Sequence, residues 1–358
     1  MILINGRFLT QRLTGVQRFA YEISKQLVAI NSEIRIILPL SFKNNLTAQI
    51  KKDFTNNLFF WGKGSGLIWE QVSLTAYSKK NVLLLNFCNS SPILWSNKLT
   101  CVHDMSYKAN PQWFSKKMGL YYSFLIPAVL KTSKYIITVS NFAKNEIIKY
   151  VPSIPADKIT VVYNACSDIF KNEGYSPVPE DQSNNLIFVG SVEPRKNLKS
   201  LLNAFYNLEN KNISLTIVGA KNATIFKEVN IGEEIDARVT WKTNCSDDEL
   251  KQLYLEAKAI INPSYYEGFG VPLIEAANNS CVLVLSDIEV FKEIAGDNAI
   301  YFNAGNIKEI ENAIKKVVNL TNEQVVNITQ TAYEDITKRF DWKKSAFKIY
   351  NLVADEYI

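Results

Sequence analysis

A chain of 358 residues is longer than one ordinary core and implies two domains, and 47% hydrophobic with 21% charged residues describes a soluble globular protein. One histidine argues against a zinc site, and five scattered cysteines (Cys88, Cys101, Cys166, Cys245, Cys281) without a C-x-x-C pair read as reduced core thiols rather than metal or redox groups. The net charge of +5 is uneven: residues 1–170 carry 20 Lys+Arg against 8 Asp+Glu, and residues 171–358 carry 20 against 27.

The N-terminus, MILINGRFLT, has Arg7 inside a short apolar run and does not read as a signal peptide. No stretch approaches the length of a membrane span, so a cytoplasmic protein is expected. Thr14-Gly15-Val16-Gln17 fits a capping box opening a helix whose buried stripe is Phe19, Ile23 and Leu27. Gly15 at such a start lets a phosphate approach the first amides closely. Strand-like runs follow at 34–38 (IRIIL), 82–86 (VLLLN), 99–103 (LTCVH) and 135–139 (YIITV). His103 closes the third run, a ligand position in parallel sheets, although Asp104 beside it could equally serve to orient the ring. The stretch at 113–131 (WFSKKMGLYYSFLIPAVLK) reads as a core helix with two exposed lysines, the alternative being a face against a bilayer. The basic half suits an anionic membrane or a phosphorylated acceptor, and equally the ordinary solvated lysines of a Lys/Asn-rich chain.

A polar segment with two prolines and a glycine, KNEGYSPVPEDQSNN (171–185), marks the boundary and gives domains of 1–170 and 184–341. Beyond it come strand-like runs at 186–190 (LIFVG), 214–219 (SLTIVG), 259–262 (AIIN) and 281–285 (CVLVL), with a second capping box at Ser246–Glu249. Near-continuous apolar runs alternating with helical patterns predict an α/β fold of doubly wound parallel sheets. The last segment, 342–358, has Trp342, Ala346, Ile349 and Val353 on one helical stripe.

Two stretches carry chemistry. In GSVEPRKNLKSLLNAF (190–205) the adjacent cations Arg195 and Lys196 stand between a strand end and a helix. A planar fork beside a compact ammonium can stabilise the charge growing on a departing diphosphate. In NPSYYEGFGVPLIEAANNS (262–280), Glu267 and Glu275 flank the turn Gly268-Phe269-Gly270, and Pro272 falls in the first helical turn. Amides exposed at that helix start would hold a diphosphate, and the carboxylates on either side would accept hydrogen bonds from hydroxyl groups.

The Glu267-x7-Glu275 pattern within EGFGVPLIEA, with SVEPRKNL upstream, resembles the retaining glycosyltransferases of family four. TGVQRFAYEI, VHDM, TVSNFAK and VVYNA extend the likeness nearly end to end. The resemblance implies the GT-B fold, two Rossmann-like domains facing across a cleft, with helix 342–358 packing back onto the N-terminal domain. It implies that Glu275 binds the ribose, that Glu267 and the backbone of Phe269, Gly270, Val271, Pro272 and Leu273 meet sugar and phosphate, and that Arg195 and Lys196 hold the diphosphate. Gly15 would approach the phosphates and His103 the donor sugar. Transfer would be front-face and retaining, the protein's part being positioning and electrostatics. With no D-x-D motif and the Arg-Lys pair in place, no metal or other cofactor is expected.

The T-G-V-x-R opening resembles members that build bacterial surface polysaccharides, many using GDP-mannose. The expected substrates are a nucleotide-diphosphate sugar and a lipid-linked or oligosaccharide acceptor, with peripheral contact to the inner membrane face. A rhamnosyl or other deoxysugar donor is the alternative, as is an inactive GT-B scaffold, against which stand the four charged residues together. A dehydrogenase is disfavoured because no G-x-G-x-x-G follows a strand, and a nucleic-acid binder by the acidic second half.

Overall fold

The computed structural model describes residues 1–78, 81–176, 184–219 and 236–357. Part of the expected boundary segment, 177–183, lies outside them. The chain forms two compact units, Met1–Asn164 with Asp341–Ile358, and Ala165–Phe340. Residues 165–170 therefore go with the second unit rather than the first. Phe170 packs edge-on against Tyr254, and its carbonyl accepts from Asn279 Nδ2 at 3.0 Å.

In the first unit seven parallel strands, β1 (Ile2–Asn5), β2 (Arg35–Leu38), β3 (Leu58–Phe60), β4 (Leu83–Asn86), β5 (Lys98–Cys101), β6 (Tyr135–Thr138) and β7 (Ile159–Val161), lie in the order β3-β2-β1-β4-β5-β6-β7. β1 and β4 are buried at every residue, which explains their unbroken apolar runs. Helix α1 (Gly15–Ile30) buries Phe19, Ile23 and Leu27. The C-terminal helix, Trp342–Tyr357, buries Trp342, Ala346, Ile349 and Val353 and packs on α1, with Phe19 and Trp342 edge-to-face at 5.8 Å. Side chains such as Ile349 and Val353 each contribute about 1.5–3 kcal/mol by leaving water.

Helix α2 (Lys116–Thr132) corrects the core-helix expectation in its first half. Leu125, Ile126, Val129 and Leu130 are buried, but Leu120 is 75% and Phe124 69% exposed, with Lys116 and Lys117 also in solvent. No helix among the described residues is long and apolar enough to cross a membrane.

The second unit is a six-stranded parallel sheet: β8 (Asn184–Val189), β9 (Ile213–Val218), β10 (Val239–Lys242), β11 (Ala259–Asn262), β12 (Val282–Ser286) and β13 (Ala299–Phe302), in the order β10-β9-β8-β11-β12-β13. Helices α3 (Leu198–Tyr206), α4 (Asp247–Glu256), α5 (Val271–Asn278) and α6 (Ile307–Val318) accompany it. Leu201 and Phe205 of α3 and Ile314 and Val317 of α6 share one core with Phe188, Leu215 and Ile217 of the sheet. In both sheets the winding reverses between two central strands, β1 and β4 in one and β8 and β11 in the other. Ligands of open α/β sheets bind outside the carboxyl ends of strands at such a reversal. Both units are thus Rossmann-like, as in the GT-B architecture.

Candidate functional site

The loops leaving β8 and β11 meet at the second unit's switch point. β8 runs so close to β9 that a Cβ on Gly219 would collide with the Gly190 carbonyl, so only glycine fits there. Past Gly190 the chain makes a single turn, Pro194–Lys196, and then places Asn197 in the left-handed region at φ 53°. Asn197 is buried, and its amide donates to Pro263 O at 3.1 Å and Ala304 O at 2.8 Å. The Tyr265 amide donates to Arg195 O at 2.8 Å. Together these bonds lock the Arg195–Lys196 turn to the loop that carries Glu267.

Glu267 receives both cations. Arg195 Nη1 donates to Oε2 at 2.9 Å, Lys196 Nζ donates to Oε1, and Ser264 Oγ donates to Oε1 at 2.9 Å. Ser264 is itself fixed by Asn262 Oδ1 at 2.6 Å and by the Ser286 hydroxyl on its carbonyl at 2.6 Å. Burial opposes ionisation of Glu267, but the Lys196 and Arg195 charges outweigh it and hold the carboxyl down at about 2. The other edge of Arg195 donates through Nε to Glu193 at 2.7 Å. A diphosphate arriving here would find two cations already in place and partly neutralised by carboxylates.

Eight residues on, Glu275 is 5% exposed and accepts from the buried Tyr254 hydroxyl of α4 at 3.0 Å. Between the two carboxylates Gly270 adopts φ 111° and begins α5, where no side chain caps the helix and Pro272 lies in the first turn. That leaves an anion-favouring helix start beside Glu267. Phe269 and Leu273 bury their side chains, Phe269 edge-on to Phe340 at 5.5 Å, so only their backbone is available to a ligand. Val271 and Pro272 are half-buried, and Gly268 is buried. The Ser246–Glu249 capping box forms in full at the start of α4.

Gly15 and His103 belong to the first unit. Gly15 opens α1 with nothing within 4 Å of a built Cβ. The expected capping box before it does not form: the Thr14 hydroxyl donates to the Gln17 side chain instead of accepting from its amide, leaving the helix start without a side-chain cap. His103 is 6% exposed; its Nε2 lies 2.7 Å from Phe87 O and its ring stands edge-on to Phe19. A carbonyl partner requires the hydrogen on Nε2, leaving Nδ1 as an acceptor. Burial lowers the pKa of His103, so the ring is neutral near pH 7. Asp104 does not orient the imidazole: its Oδ1 accepts from the Ser106 amide and hydroxyl at 2.9 and 2.6 Å.

Sequence reading missed Asn197, Ser264 and Tyr254. Asn197 between the cationic pair and an apolar helix was the one legible signal, since asparagine tolerates the left-handed turn. Among the described residues no group of three or more His, Cys, Asp or Glu side chains is arranged to hold a metal ion.

Residues 174–335 match the family model described as glycosyl transferases group 1. The chain is 28% identical over 267 residues to the O-antigen chain mannosyltransferase RfbU of Salmonella typhimurium strain LT2, covering 74% of this chain and 71% of that protein. It is 38% identical over 136 residues to the serotype-specific mannosyltransferase WbdA of Escherichia coli, 37% of this chain and 17% of that one. Among solved structures, sucrose-phosphate synthase of Thermosynechococcus elongatus superposes with a TM-score of 0.75 over 99% of this chain and 98% of that one, at 15% identity, a likeness of fold.

Proposed function

From the match of residues 174–335 to the glycosyl transferases group 1 model, we propose a retaining hexosyltransferase that moves mannose from GDP-mannose to a lipid-linked or oligosaccharide acceptor in surface-polysaccharide assembly. The observation that carries this reading is the Arg195–Glu267–Lys196 cluster at the β8/β11 switch point. The mannose assignment is supported by the mannosyltransferase relatives.

In this reading Arg195 and Lys196 hold the diphosphate and stabilise it as it leaves, in place of a divalent metal. Glu267, released from part of its pairing, accepts hydrogen bonds from donor-sugar hydroxyls. Glu275 binds the ribose, its carboxylate oriented by Tyr254. The backbone of Gly268, Phe269, Gly270, Val271, Pro272 and Leu273 borders sugar and phosphate. In the first unit the same reading assigns Gly15 to the phosphates and neutral His103 to the donor sugar. The departing phosphate takes the acceptor's proton, with retention at the anomeric carbon. Leu120 and Phe124 beside Lys116 and Lys117 offer a face for peripheral contact with the anionic cytoplasmic side of a membrane.

Thermal stabilisation by GDP, UDP, dTDP and ADP, on wild type and on Arg195→Ala, tests the reading. A nucleotide at a hundred times its Kd adds about 2.7 kcal/mol. A shift with GDP that is lost in the variant is expected. A shift with another nucleotide alone would replace mannose by a different donor class, and no shift with any would sink the enzymatic reading.

A further inference from the structure

The first unit has its own switch point, between β1 and β4, and a second charged cluster occupies it. Immediately after β1 a Cβ on Gly6 would stand 2.7 Å from Ile36 Cγ2 and 2.8 Å from Ile37 O, so glycine alone lets the chain leave the strand against β2. It enters a 3-10 turn, Gly6–Thr10, whose start is capped by Asn5 Oδ1 accepting the Arg7 amide at 3.2 Å. Asn5 is cross-linked to the neighbouring strand end through its Nδ2, which donates to Asn86 Oδ1 at 3.0 Å. Arg7 is thereby set at the strand ends.

Its guanidinium is held along one edge only. Nε donates to Glu70 Oε2 at 2.9 Å and Nη2 to Ser90 Oγ at 2.6 Å. Glu70, 1% exposed, is held on both oxygens: Asn5 Nδ2 at 2.9 Å and Ser90 Oγ at 3.2 Å also donate to Oε2, and Gln71 Nε2 donates to Oε1 at 3.3 Å. It sits on a π-helical stretch, Trp69–Leu74, a geometry frequent at functional sites. The outer edge of Arg7, Nη1 with the second Nη2 hydrogen, has no partner among the described residues, while the side chain is only 11% exposed. A mostly buried guanidinium with an unmet donor edge carries a desolvation cost that an anion at that edge would offset. Tyr121 on α2, 38% exposed, lies within the electrostatic field of both Arg7 and Glu70.

We propose that the outer edge of Arg7 is a bidentate subsite for an anionic group, phosphate or carboxylate, on the acceptor, with Glu70 and Ser90 as the residues that position it. That the ligand is the acceptor rests on the glycosyltransferase reading; that Arg7 binds an anion does not.

The test has two arms. Inorganic pyrophosphate is titrated calorimetrically into the full chain held at saturating nucleoside diphosphate, for wild type, Arg7→Gln and Arg7→Lys. Wild type binds, Arg7→Gln weakens binding at least about tenfold, and Arg7→Lys, which keeps the charge and its pairing with Glu70 but not the fork, falls between. In the kinetic arm one glycan is offered on an alkyl diphosphate, on a neutral alkyl glycoside and with a uronic acid. Arg7→Gln raises the KM of a charged acceptor at least about tenfold, and which charged acceptor responds tells phosphate from carboxylate. The KM of the neutral acceptor, the KM of the donor and donor hydrolysis without acceptor stay unchanged. Pyrophosphate affinity unaltered in Arg7→Gln, or an equal KM rise for the neutral acceptor, overturns the proposal. If Arg7→Gln does not fold, Arg7→Lys reads the same contrasts. Absent transfer in wild type, with pyrophosphate binding still lost in the variant, sinks the enzymatic reading and leaves the anion site standing.

Discussion

Lys196 Nζ donates to Glu267 Oε1 with both side chains less than a tenth exposed, so the cation assigned to the diphosphate and the carboxylate assigned to the sugar are each other's partners before any ligand arrives. Under the proposed function donor binding would exchange partners: phosphate oxygens would take over part of Lys196 and Arg195, and Glu267 would gain acceptor capacity for hydroxyl groups. Mutual attraction and the Ser264 hydrogen bond offset part of the desolvation of this buried pair, whereas removing one partner strands the other charge at a cost of about 3–5 kcal/mol.

Glu267→Ala is therefore expected to unfold more easily by a few kcal/mol without ligand, and GDP should recover much of the loss by pairing the stranded Lys196. Transfer should fall at least a hundredfold while GDP affinity stays within about threefold of wild type or improves. Denaturant melts with and without GDP, alongside initial rates and calorimetry, check this; nucleotide affinity falling as far as transfer would show that Glu267 binds the nucleotide.

Glu275 should behave in the opposite way. Its carboxylate is fixed by Tyr254 from a different helix, so Glu275→Ala should weaken GDP binding by tenfold or more. Tyr254→Phe, which removes only the orienting hydroxyl, should produce a smaller loss in the same direction. Calorimetric Kd values for the two variants decide it. An unchanged Kd in Glu275→Ala would remove that residue from the nucleotide site.

Asn197 tests how the cationic turn is held. Asn197→Gly keeps the left-handed backbone and loses the two amide bonds to Pro263 and Ala304, while Asn197→Ala loses the bonds and also strains the backbone. Urea unfolding should show about 1–3 kcal/mol lost in the first and roughly 1 kcal/mol more in the second. Equal stabilities would mean that the conformation carries no strain.

The elements that sequence made legible were the buried ones. Every run read as a strand became one of the interior strands β2, β4, β5, β6, β8, β9, β11 and β12, where both faces are covered and the apolar run is unbroken. The four edge strands, β3, β7, β10 and β13, went unread because a half-covered edge needs no continuous apolar pattern; β10 buries one residue of its four. β1 is central and fully buried, but four residues at a chain start offered too short a period. The charged site residues were visible because adjacent cations and paired carboxylates around glycines are rare patterns. Their supports were not: Tyr254 reaches Glu275 across 21 residues and Glu70 reaches Arg7 across 63, distances at which only the folded chain shows a relationship. Thr14 and Gln17 met the spacing of a capping box without its hydrogen bonds, because spacing constrains the helix start but not the rotamer.

The depressed pKa of Glu267 makes a last prediction about acid. A carboxyl moved from an ordinary 4.5 to about 2 on folding contributes on the order of 3 kcal/mol. Because the folded pKa is the lower one, that contribution is complete above the unfolded pKa and is lost as pH falls from about 4.5 towards 2. Glu267→Gln abolishes the titration while leaving Lys196 where it is, so the stability gap between wild type and variant should be widest near pH 6. It should close progressively below pH 4.5, as protonated Glu267 comes to resemble glutamine. Urea denaturation of both proteins between pH 6 and pH 3 measures the gap directly. A gap that stays constant across that range would mean Glu267 titrates normally and that the two cations do not hold it ionised.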